Sequence, residues 1–154
     1  MLIIVCLDVE DGIDPVHGLA ERIAFDGADI TLLHVVDVAE RMKLEDSARP
    51  GIVRGSPRSI EDELDADERE LLRESYAEAA SILALRHAGN VTLRVESGRP
   101  EQIIVSHLAE SKAGLCVVGR RHDWRRDRAV GPRSVGRVAR FVIDHAPCPV
   151  LILR

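Results

Sequence analysis

Residues 2–7 read LIIVCL, an unbroken apolar run that ends at Asp8. A strand with one wet face would alternate apolar and polar residues. A continuous run of this length suits a strand buried on both faces, as in a parallel sheet. Working outward, DITLLHVV at 29–36, VTLRV at 91–95, LCVV at 115–118 and PVLIL at 149–153 read as four further strands.

Helical signals fill the gaps between them. Asp14 stands as an N-cap before Pro15, and residues 15–26 place Val16, Leu19, Ala20 and Ile23 on one face, with Gly27 as the stop. Ser59 opens a long second helix, with Asp62 as a capping-box partner. Leu64, Leu71, Leu72, Ala79, Ile82 and Leu83 form its stripe, and Gly89 ends it. Pro100 starts a third helix carrying Ile103, Ile104, His107 and Leu108, and a fourth covers 135–145. The polar stretch 37–58, with its prolines and glycines, is long for a connection inside a compact domain.

The order βαβαβαβαβ predicts an α/β fold, a five-stranded parallel sheet with helices on both faces. Right-handed crossovers allow strand order 3-2-1-4-5. The topological switch then falls between the first and fourth strands, and a ligand belongs outside their carboxyl ends, near Asp8 and Gly119.

A chain of 154 residues, 45% hydrophobic, fits one domain over 1–154 with a real core. The formal charge of −5 gives no general pull toward nucleic acid or an anionic membrane. It is distributed unevenly. Residues 61–78 hold nine carboxylates against two arginines, and 120–140 hold eight arginines against two aspartates. A basic patch on an acidic protein suits a small anionic ligand better than a long polyanion. Cys6, Cys116 and Cys148 are odd in number and form no CxxC, so neither a disulfide framework nor a zinc site is indicated. No run of about 18 apolar residues spans a membrane, and MLIIVCLDVE has no secretory pattern. The expected location is the cytoplasm.

Few residues carry obvious chemistry. Asp8 could accept bonds from a ribose hydroxyl or serve as a turn aspartate. His34, inside an apolar strand, fits a hydrogen-bonded core residue better than a ligand. Gly119 lets a phosphate approach the backbone, and Gly136 opens a helix whose first amides favour an anion, though both could be ordinary loop glycines. No G-x-S-x-G elbow, metal-spaced histidine pair or general base is evident, so no catalytic residue or metal ligand is assigned and at most slow nucleotide hydrolysis is expected.

Asp8 after the first strand, LLHVVD at 32–37, SGRPEQII at 97–104, LCVVG at 115–119 and GRVARFVIDHAPCPVLILR at 136–154 together resemble the universal stress protein family. The resemblance spans nearly the whole chain except 38–60 and 120–134. It implies an adenine nucleotide α-hydrolase-like fold and a homodimeric regulator whose last strands, here Val150–Leu153, pair between subunits. Protein partners are a second implied mode of action. Many members bind ATP through G-x2-G-x9-G-[ST], and ATP (with magnesium) or AMP is the implied cofactor where one is bound at all. Carried over, Asp8 would touch the ribose and Val35 backbone the adenine, while Cys6 and Leu7 would lie beside the base. Val118, Gly119, Gly136 and Val138 would complete the site. The pattern is broken at two of its positions. His122 replaces the second glycine and Arg137 the helix-opening hydroxyl residue, and sixteen residues separate Gly119 from Gly136 where the pattern has twelve. Either the arginines of 120–137 replace backbone amides at the phosphate, or the segment is a basic surface lid with Trp124 as its staple.

Overall fold

The computed structural model describes residues 1–7, 14–37, 66–86, 88–119 and 135–153. Its elements follow the expected alternation: β1 (Leu2–Leu7), α1 (Asp14–Arg22), β2 (Asp29–Asp37), α2 (Ala66–Leu85), β3 (Val91–Gly98), α3 (Pro100–Ser111), β4 (Leu115–Gly119), α4 (Arg137–His145) and β5 (Val150–Leu153). The sheet order is β3-β2-β1-β4-β5, and every neighbouring pair is parallel. The expected order is therefore the one observed.

The apolar run of β1 is divided between the two faces of the sheet, as its period of two requires. Ile3, Val5 and Leu7 point to one side, where they meet Val16 and Leu19 of α1 and Leu72, Tyr76, Ala79 and Leu83 of α2. Ile4 points to the other, joined by Cys116, by Ile104 and Leu108 of α3, and by Ala139 and Val142 of α4. Both sides of the central strand are thus sealed, which is why it has no polar alternate.

Several boundaries differ from the sequence reading. Helix α1 stops at Arg22, before Asp26. The chain then needs a tight turn, with Asp26 at φ 43° and Gly27 at φ 77°, and Ala28 donating to Phe25 O at 2.7 Å. Two successive left-handed residues cannot extend a right-handed helix. Strand β3 runs three residues beyond Val95, because Glu96, Ser97 and Gly98 keep pairing with Val35, Val36 and Asp37. As the edge strand it can carry polar side chains without losing its ladder. In α2 the buried stripe is Leu72, Tyr76, Ala79 and Leu83, while Leu71 is exposed. Ser59, Asp62 and Leu64, assigned to the start of that helix, lie outside the described residues.

Candidate functional site

All strands are parallel, so their carboxyl ends share one edge of the sheet with the first turns of α3 and α4. From β1 the chain passes to α1 on the first face. From β4 it passes to α4 on the second. The two adjacent strands therefore send their helices to opposite sides, which puts the topological switch point between them, as expected.

The structure brings most of the sequence-predicted residues to this place. Cys6 is the register partner of Val118 across β1 and β4, and Gly119 closes β4 beside Leu153. Cys6, Val35, Val118 and Val138, the last on α4 itself, all belong to the cluster on the second face. Leu7 is buried on the first face. Gly136 is the N-cap of α4, with no side-chain cap, and Arg137 is its first residue. At φ −59° and ψ 168°, Gly136 has a backbone that any residue adopts. Asp8, His122 and Trp124 lie outside the described residues.

His34 is buried and its Nδ1 lies 3.2 Å from Leu7 O, the last carbonyl of β1. Its ring meets Tyr76 edge-on at 6.5 Å. This is the packed, hydrogen-bonded core histidine that the apolar context suggested, and it fixes the end of β1 just before Asp8.

The three cysteines form a diagonal across β1, β4 and the approach to β5. Cys116 pairs with Ile4, two residues from Cys6, and with Val150, two residues beyond Cys148. Cys6 is held well above the usual thiol range, first by its hydrogen bond with Cys116, then by burial and by both neighbouring sulfurs. Burial also pushes Cys148 up, with Cys116 adding to the shift and a backbone bond from Cys116 opposing it. Such thiols stay protonated near neutrality and are poor nucleophiles. Among the described residues no group of histidine, cysteine and carboxylate side chains could hold a metal ion.

Sequence reading missed one participant. Glu101, in the first turn of α3, is buried, and its Oε1 accepts a bond from Arg137 Nη1 at 3.0 Å. Its Oε2 is buried without a hydrogen-bond partner among the described residues. In the sequence, Glu101 looks like an ordinary acid at a helix start, and 36 residues separate it from Arg137. Only the stretch SGRPEQII, which places a proline-led helix at the carboxyl end of β3, hinted that it lies at this edge.

The model of the universal stress protein family matches residues 3–154. The chain belongs to the universal stress protein family. None of the curated proteins compared with it matches. Among solved structures, it is similar to the universal stress protein UspA from Lactobacillus plantarum, with 21% identity over 100% of this chain and 97% of that one, at a TM-score of 0.65. A universal stress protein from Archaeoglobus fulgidus in complex with dAMP is 20% identical over 100% and 98% of the two chains, at a TM-score of 0.61. A family protein from Arabidopsis thaliana with AMP bound is 17% identical over 99% and 90%, at a TM-score of 0.57. At these identities the likeness establishes the fold shared with this universal stress protein. No described helix is long and apolar enough to cross a membrane.

Proposed function

We propose that this universal stress protein is a dimeric, cytoplasmic regulator that holds an adenine nucleotide, AMP or ATP with magnesium, at the carboxyl ends of β1 and β4. The observation carrying this reading is the apolar cluster that Cys6, Val35 and Val118 share on the second face with Val138, in the first turn of α4. An apolar floor can take a base, and a helix start next to it favours a phosphate. The family members crystallised with AMP and dAMP support the same choice of ligand. Asp8 and His122 complete the proposed set, Asp8 at the ribose and His122 in the connection that reaches Gly136.

Titration calorimetry with AMP, ATP and cyclic AMP, with and without magnesium, tests the reading. The expected result is saturable binding that Asp8→Ala abolishes. No heat at millimolar ligand would remove it. A second reading, a stress protein acting through protein partners without nucleotide, is favoured by one observation: Arg137 is already engaged by Glu101 inside the chain.

Dimerisation is proposed through β5. It pairs with β4 on one side and ends the sheet on the other, with Val150, Leu151 and Ile152 only half-buried. An apolar edge of this kind is a template for a second copy. Ile152→Pro should halve the sedimentation mass, and an unchanged mass would count against the pairing.

A further inference from the structure

We propose that the outer edge of β3 is a second self-association surface, on which two copies of this chain pair antiparallel about Val95, with Arg94 of each opposite Glu96 of the other. The proposal stands apart from the nucleotide reading and from the β5 contact.

Strand β3 is the other edge of the sheet and, at eight residues, is longer than the four-residue β5. Ile30 N donates to Asn90 O at 2.7 Å, which turns the even-numbered backbone groups of β3 toward β2. Backbone direction alternates along a strand, so Leu93 and Val95 turn their N–H and C=O groups outward. Thr92, Leu93 and Arg94 are exposed, and Leu93 is an apolar side chain with 42% of its surface open to water. An edge of this length with outward donors and acceptors is a template for pairing.

Charge decides what can pair with it. Arg94 and Glu96 share the second face, since their register partners Leu33 and Val35 lie there, and their side chains meet at 3.7 Å. In an antiparallel pair, residues opposite each other lie on one face. A twofold at Arg94 would set arginine on arginine, and one at Glu96 would set glutamate on glutamate. A twofold at Leu93 would set Arg94 against Thr92 and leave Glu96 unmatched. The twofold at Val95 matches both charges, twice over. It also lets the outward groups of Val95 bond Val95 of the second copy, and it lays Leu93 diagonally beside that residue. Every residue that would face across this pair falls within 91–99, and all of these are described. Charges on an edge strand can serve to keep other strands away. Here they exclude the competing registers and favour one, which a pair of like charges would not do.

Sedimentation of the full chain from about 10 µM to about 1 mM tests the proposal. The average mass should climb with concentration, and the climb should shrink as salt rises. Arg94→Glu and Glu96→Arg each turn two attractive cross-pairs into two repulsive ones, and each should weaken the association by roughly tenfold or more. Combining the two substitutions restores opposite charges and should restore the climb. Both side chains reach water, so these variants should keep the wild-type urea midpoint closely. Val95→Pro removes an outward N–H without touching a bond to β2 and should abolish the climb. A mass that stays constant with concentration would overturn the proposal, because the edge is then covered within the chain or left to water. A climb that survives both single charge reversals would place the contact elsewhere and overturn it as well.

Discussion

Where the strands begin, the chain is tied mainly backbone to backbone, with Asn90 N also donating to Asp29 Oδ1, and where they finish, the connections among the described residues include side chains and charges. At the starting edge, Asp29 N donates to Met1 O at 3.0 Å, Gly89 N to Ala28 O at 2.8 Å and Gly114 N to Leu2 O at 2.8 Å. At the finishing edge, the contacts among the described residues include His34 with Leu7 O and Arg137 with Glu101. Backbone pairs at close range admit one geometry. An exposed arginine on a half-satisfied carboxylate admits several, and can yield to a ligand. The first edge holds the fold and the second is free to carry function, a division common to open α/β sheets.

The sharpest way to break this contrast is at Gly89. A Cβ there would sit 2.6 Å from Gly27 O, a backbone atom held in its own turn. Neither side can move without disturbing both the turn into β2 and the turn into β3. Gly89→Ala should cost about 3 kcal/mol, read as a lower urea midpoint at unchanged slope. A loss below about 0.5 kcal/mol would show that the starting edge is softer than its geometry implies.

Gly98 tests whether the finishing edge has any rigid point of its own. It ends β3 at φ 146°, and an added Cβ would meet Ile103 side-chain carbons at 3.2 and 3.3 Å. Those atoms are the ends of a side chain and can give slightly, but the backbone angle cannot be relieved. Gly98→Ala should cost about 2 kcal/mol, less than Gly89→Ala. Arg137→Ala should cost less again, about 1 kcal/mol. It leaves Glu101 without its bond, but the arginine is well exposed and the pair is partly screened. Thermal melts at low and high salt check this: the wild-type advantage should shrink as salt rises.

The same contrast explains what could be read from the sequence. Continuous apolar runs mark doubly buried strands, so β1, β2, β4 and the strand order were legible from residues such as Ile3, Ile4 and Val117. Local signals also placed Cys6, Val118, Gly119 and Gly136 at one edge. Strand β3 was read too short because Glu96 and Ser97 are polar, while pairing at a sheet edge is made by backbone. Helix α1 was read too long because Ile23 and Phe25 continue its apolar period, although the turn at Asp26 and Gly27 must be prepared before them. Tyr76 was missed and Leu71 wrongly placed in the stripe of α2, since adjacent leucines leave the buried one undecided. The Glu101–Arg137 contact joins two helix starts through tertiary packing, and no local pattern encodes it.

The smallest effect should have the opposite sign, and it shows that glycine as such is not what fixes the starting edge. Gly18 lies inside α1, between the two edges. Its backbone has no left-handed angle, and a Cβ would meet only Arg22 Nη1, at 3.1 Å. That guanidinium is the flexible end of an exposed side chain, held to Gly18 O by one long bond of 3.4 Å. It can swing into water at little cost, whereas the helix gains from losing a glycine because the unfolded chain has less freedom to surrender. Gly18→Ala should therefore stabilise the fold by about 0.5–1 kcal/mol, seen as a rise in urea midpoint. A loss at Gly18 comparable to that at Gly89 would mean that any added methyl is costly in this chain. The difference between the two edges would then rest on general tightness of packing rather than on backbone meeting backbone.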